Sequence, residues 1–178
     1  WWEGFQLQWR AHHSRELGYL DESAEWLDRA YRVALDRGTI NQIAFITSNQ
    51  AALAWHQGDV AATYAKTIEF AEANRSAAEN PLNPFVLEMS AAAAVAWDLF
   101  EVAARLCGAA EGWRRPGGLS ERGMPLPQWD LERHAEVLRR IEERLGADTR
   151  DARFAEGRAL NPQTALDLAL SLTPKSVS

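Results

Sequence analysis

The sequence predicts an all-α protein, three helical pairs followed by a tail of three further helices. Three observations carry this expectation. A pattern returns at a spacing of 40 residues, and small or apolar residues within it fall three and four apart. No run of β-branched residues alternates with polar ones over a useful length, so strand signals are absent.

The recurring pattern sits in three stretches that align without gaps. These are "GYLDESAEWLDRA" from Gly18, "GDVAATYAKTIEF" from Gly58 and "DLFEVAARLCGAA" from Asp98. Each opens on a turn-prone residue and places an apolar residue two positions later, Leu20, Val60 and Phe100. A stripe of small or apolar residues then follows. It is Ser23, Leu27 and Ala30 in the first copy, Thr63, Thr67 and Phe70 in the second, and Ala103, Cys107 and Ala110 in the third. Such intervals place each set on one face of a helix.

A second helical segment lies upstream of each turn, over residues 5–17, 40–56 and 84–97. The last of these has Asn83 as its expected N-cap and Pro84 at the first helical position. Phe5, Phe45 and Phe85 keep the register of 40. The unit is therefore helix, tight turn, helix, three times within residues 1–115.

Residues 116–127 read as a loop, with the Pro- and Gly-rich run "PGGLSERGMPLP". Residues 128–178 form the tail. Its first helix, 128–145, has an expected apolar stripe of Leu131, Ala135, Leu138, Ile141 and Leu145. A short helix is expected over 151–156. A third begins at the cap and first-turn proline Asn161-Pro162 and ends near Leu172.

Composition narrows the function classes. The 178 residues suit one domain with a substantial core. The chain opens on Trp1-Trp2 without an initiator methionine, so it is expected to be a piece of a larger protein. No apolar run approaches the roughly 18 residues that span a bilayer, and membrane association is not expected. One cysteine excludes an internal disulfide and a cysteine-based zinc site and points to a reducing, cytoplasmic setting. Residues 1–112 hold 8 basic and 15 acidic side chains, a balance of −7, against 11 and 10, or +1, in 113–178. The acidic front would repel phosphates, so direct nucleic-acid binding is not expected. Lys66 and Lys175 are the sole lysines among 19 basic residues, and the Arg and Ala richness reads as a GC-rich bacterial coding bias.

The segment 97–118, with Cys107, Gly108, Gly112 and a Pro-Gly-Gly break, looks at first like a reactive site. Cys107 falls instead on the stripe position held by Leu27 and Thr67, with no histidine nearby in sequence, and reads as a buried structural residue. Glycine inside a helix costs about 1 kcal/mol relative to alanine, so the two glycines point to close approach of a neighbouring helix. A phosphate loop would need a preceding strand and a following Lys-Ser/Thr, and neither is present. His12, His13 and Glu16 offer two metal ligands on one face where a site wants three or four. "ERHAEVLRRIEER" reads as a solvated face with a Glu136–Arg140 pair. No cofactor is expected. Of eight tryptophans, Trp9, Trp26 and Trp97 are expected in the core.

A helical pair with Gly before its second helix and small residues at fixed places resembles the tetratricopeptide repeat, in a form longer than the common one. The resemblance covers about residues 3–114. Asp98 in place of the turn glycine, and a missing closing proline after the first two copies, depart from it. It implies a right-handed superhelix of three pairs, closed by the tail as a polar-faced cap. The tail segments "ARLCGAAEGWRR", "PLPQW", "RFAEGRAL" and "TALDLAL" are similar to the carboxy-terminal region of large bacterial ATP-binding regulators. These include LuxR-type transcriptional regulators and adenylate-cyclase-linked relatives. Nothing here matches their P-loop, cyclase carboxylates or DNA-binding motif.

In the tetratricopeptide fold the first helix of each pair lines a concave groove. The resemblance then implies groove positions at Phe5, Gln8, His12, Arg15 and Glu16; at Phe45, Ser48, Ala52, Trp55 and His56; and at Phe85, Glu88, Ala92 and Val95. Aromatic and Arg residues among polar neighbours suit a binding groove. The alternatives are that the phenylalanines pack between repeats, or that the tail fills the groove. The implied function is non-enzymatic: binding a protein partner, or holding the switch ATPase domain of the same polypeptide at rest. The rival reading is a sensor with a small-molecule inducer in the groove.

Overall fold

A computed structural model describes residues 2–38, 40–73, 83–113 and 128–174; of Asn83, Gln128 and Trp129 it describes the backbone. The described residues form nine helices and no strand. The chain divides into two compact units, Trp1–Ser76 and Ala77–Ser178. The first holds α1 (Trp2–Glu16), α2 (Leu20–Asp36), α3 (Ile40–His56) and α4 (Val60–Ala73). The second holds α5 (Asn83–Ala96), α6 (Phe100–Trp113), α7 (Gln128–Leu145), α8 (Ala147–Arg158) and α9 (Pro162–Leu170). The third pair thus shares a unit with the tail. The 116–127 loop lies outside the described residues, as does the Asn83 side chain.

The period of 40 reappears in the backbone. The second helices of the pairs start at Leu20, Val60 and Phe100. Each preceding turn holds a residue in the left-handed region: Gly18 at φ 81°, Gly58 at 77° and Asp98 at 58°. The amides of Tyr19, Asp59 and Leu99 donate to the carbonyls of Ser14, Ala54 and Ala94 at 2.8, 2.9 and 2.8 Å. One residue earlier, Gly18, Gly58 and Asp98 donate to Arg15, Trp55 and Val95 at 3.0, 3.0 and 3.2 Å. Together these bonds are a Schellman motif, which satisfies carbonyls at the end of the first helix and turns the chain. Aspartate tolerates the left-handed region better than most residues, so Asp98 can stand in for glycine.

The stripes are buried as expected. All nine residues, from Ser23 through Thr63 to Ala110, are at most 2 % exposed. The polar members are satisfied locally. Ser23 Oγ donates to the Ala11 carbonyl at 2.8 Å, Thr63 Oγ1 to Asp59 and Thr67 Oγ1 to Thr63. In the first unit, Leu7 and Ala11 of α1, Leu27, Ala30 and Ala34 of α2, and Ile46 and Leu53 of α3 form one apolar cluster. Trp26 borders it half-buried, with the guanidinium groups of Arg10 and Arg29 each 4.9 Å from its ring centroid. Trp97 is also half-buried, but Trp9 is 59 % exposed and not a core residue. It lies on the side of α1 opposite Leu7 and Ala11, through which α1 packs on α2 and α3.

In the second unit α6 crosses α8 at backbone contact. A Cβ added to Gly108 would lie 2.8 Å from the Phe154 Cα and closer still to its carbonyl oxygen. One added to Gly157 would lie 2.9 Å from the Ala109 amide nitrogen and closer still to the Arg105 carbonyl oxygen. Gly112 is looser, its nearest neighbour 3.7 Å away on Arg158. Ion pairs flank the crossing: Glu101–Arg153 at 3.2 Å, Arg105–Glu156 at 3.6 Å and Glu111–Arg158 at 2.8 Å. The order of these contacts makes the two helices run in the same sense.

The tail differs from expectation in two ways. Along α7 the buried residues are Arg133, Val137 and Ile141, while Leu131 is 46 % exposed and Ala135 is exposed. The buried face is turned by nearly one residue from the stripe expected, leaving Leu138 and Leu145 half-buried at its margin. Arg133 enters that face because Asp130, one turn earlier, forms an ion pair with it. The charged face pairs Glu136 with Arg139, at 2.7 Å, and Arg139 with Glu143, while the expected partner Arg140 acts on Glu136 through its charge. α8 spans Ala147–Arg158, twice the expected length. α9 starts as expected: Asn161 Oδ1 accepts from the Thr164 amide at 2.9 Å, with Pro162 at the first turn.

Candidate functional site

The groove candidates of the first unit lie on α1 and α3. On α1 the intervals of three and four place Phe5, Gln8, His12, Arg15 and Glu16 on one side of the helix. Phe5 is 37 % exposed, Gln8 and Arg15 are buried, His12 is half-buried and Glu16 is exposed. Arg15 Nη2 donates to His12 Nδ1 at 3.0 Å, so the neutral ring presents its lone pair there. Burial and then the Arg15 charge push the His12 pKa below its ordinary value, against the opposing pull of Glu16. His12 Nδ1 is thus occupied. Among the described residues no three His, Cys, Asp or Glu side chains converge as a metal site would need.

On α3, Phe45 is 45 % exposed, Ser48 and Trp55 are half-buried, Ala52 is buried and His56 is exposed. The Phe45 carbonyl accepts from Ser48 Oγ at 2.7 Å and from Asn49 Nδ2 at 2.9 Å. Both polar side chains are thereby held against their own helix. The side carries apolar surface with polar groups close by. In the second unit, on α5, Phe85 is half-buried, and Glu88, Ala92 and Val95 are buried.

Sequence reasoning missed part of the aromatic surface on α1. Trp2, Phe5 and Trp9 form a continuous ladder that ends on His12. Successive ring centroids are 6.0, 6.0 and 6.1 Å apart, stacked at the first step and edge-on at the next two. Trp2 is 64 % exposed. The signal was available, because aromatics at positions 2, 5 and 9 share a helical stripe.

Cys107 is buried on α6, as its stripe position requires. An open cleft of about 530 Å³ lies between the start of α6 and the end of α7. Leu99, Phe100, Val102 and Leu145 supply its apolar lining, and Asp98, Glu101 and Arg144 its charges. The Arg144 guanidinium sits 5.9 Å from the Phe100 ring. No described helix is long and apolar enough to cross a membrane. Comparison with known proteins gave no matching family model, no matching curated protein and no matching solved structure.

Proposed function

We propose that this chain is a non-enzymatic protein-interaction or sensing module of a larger bacterial transcriptional or signalling regulator, built on tetratricopeptide-type repeats. The supporting observation is the turn that recurs with the same hydrogen bonds at Gly18, Gly58 and Asp98. A repeat of helical pairs offers the first helix of each pair as a binding surface. On α1 and α3 that surface mixes exposed Phe5 and Phe45 with His12, Ser48 and Trp55, the blend of aromatic anchor and polar neighbour that partner sites use. The partner is a protein, or the switch ATPase domain of the same polypeptide, and the module's setting is the cytoplasm.

The test is a photo-crosslinking amino acid in place of Phe45, introduced into the full-length protein in its own cells. A protein adduct is expected, mapping to the ATPase domain or to a separate polypeptide and diminished by Trp55→Ala. Absence of any protein adduct, or one indifferent to Trp55→Ala, would overturn the reading.

A further inference from the structure

The aromatic ladder of α1 is self-complementary, and we propose that it joins two copies of this chain through a two-fold axis across α1. Trp2, Phe5 and Trp9 occupy one stripe of the helix and Glu3, Gln6, Arg10 and His13 the next, while Leu7 and Ala11 hold the opposite side in the core. Laying a second α1 antiparallel on the first sets Trp2 against Trp9 of the second copy and Phe5 against its equivalent. The same placement sets Glu3 beside Arg10 of the second copy, and Arg10 beside its Glu3. All these pairings centre on one turn of the helix, around Phe5 and Gln6.

The charges suit this use. Glu3 is already 2.9 Å from Arg37 of its own protomer, yet its side chain is 61 % exposed and keeps acceptor capacity. Arg10 is exposed, with its guanidinium 4.9 Å from the Trp26 ring centroid, and its five N–H donors leave capacity for a carboxylate. A parallel two-fold pairing would instead set this flank against the opposite one, which carries Gln8 and His12, and Glu3 would not meet Arg10. Charge therefore selects the antiparallel arrangement.

The area is also adequate. Trp2, Phe5 and Trp9 are 64, 37 and 59 % exposed. With aromatic side chains of up to about 200–250 Å², they offer roughly 380 Å² of apolar surface. If apolar atoms make up about 60 % of such an interface, each partner contributes about 640 Å² and the pair about 1,300 Å². That lies at the lower end of the range of about 1,200–2,000 Å² for specific interfaces. A patch of this size also matches the largest seen on ordinary monomers, which is often functional.

Sedimentation equilibrium of the 178-residue chain, from about 1 to 300 µM, covers the weak affinities that an interface at this lower size limit gives. A reversible dimer is expected, with tryptophan emission moving to shorter wavelength as it forms. Trp9→Ser, at an exposed position, should weaken it by about tenfold or more while leaving the circular dichroism unchanged. Glu3→Arg should also weaken it, and the double variant Glu3→Arg with Arg10→Glu should restore most of the loss. A chain that stays monomeric throughout, or a dimer indifferent to Trp9→Ser, would overturn the proposal and leave the stripe to a different partner. A dimer that responds to Trp9→Ser but is not restored by the charge exchange would overturn the antiparallel arrangement.

Discussion

At neutral pH His12 accepts a hydrogen bond from the Arg15 guanidinium, which fixes its tautomer and opposes its protonation. Its folded pKa lies below the ordinary value of 6.5, so in mildly acidic solution the unfolded chain binds more protons than the folded one. Stability then rises with pH. The contribution is present above about pH 6.5 and is lost as pH falls through the depressed folded value. His12→Gln should therefore flatten the loss of stability between pH 7 and pH 5, measured by urea denaturation. An unchanged slope would mean that His12 titrates freely. A sequence reader can place His12 on the same helical side as Arg15. The hydrogen bond between them depends on the burial of Arg15, which no local pattern announces.

Between elements, the crossing of α6 and α8 turns on two glycines that propensity alone would count as defects. Gly108→Ala should gain up to about 1 kcal/mol from helix propensity. Against this, the new methyl meets the backbone of Phe154, which cannot swing aside as a side-chain tip can. Overpacking of this kind costs about 1–3 kcal/mol and more where backbone must move, so the clash wins. Gly108→Ala should lower the stability of the second unit by about 2 kcal/mol or more. Gly112→Ala, facing ordinary contact distance, should be neutral or mildly stabilising. Thermal denaturation of the two variants side by side checks the ranking, and equal melting temperatures would contradict the close crossing.

The glycines Gly108 and Gly112 were legible as marks of close approach, although only Gly108 proves tight. The length of α8 was not legible, because its contact is made by Gly157 and by ion pairs rather than by an apolar stripe. α7 was misread in phase for a related reason. None of its three leucines is among the buried residues, and the Asp130–Arg133 pair takes an inward position that hydrophobicity would have denied it.

Across the whole chain the period of 40 is the most legible feature, because it is written twice. It appears once in the turn residues and again in stripes whose side chains differ chemically, Ser23 against Thr63 against Ala103, yet are all buried. Surface use was harder to read. Trp9 reads as a first-helix core position, yet a large aromatic ring suits core or surface, and the stripe it shares with Trp2 and Phe5 faces outward. The central claim is that one helical-pair unit is built three times, and amide hydrogen exchange measured residue by residue tests it directly. The amides of Tyr19, Asp59 and Leu99 are each bonded to a carbonyl five residues back, while lying at the junction between helices where exchange is usually fast. Protection should rise together at these three positions and at Ser23, Thr63 and Ala103, which donate to the carbonyls of those same turn residues. Protection at one or two of the turns with solvent-like exchange at the third would show that the copies are not the same structure, and the repeat would fail with it.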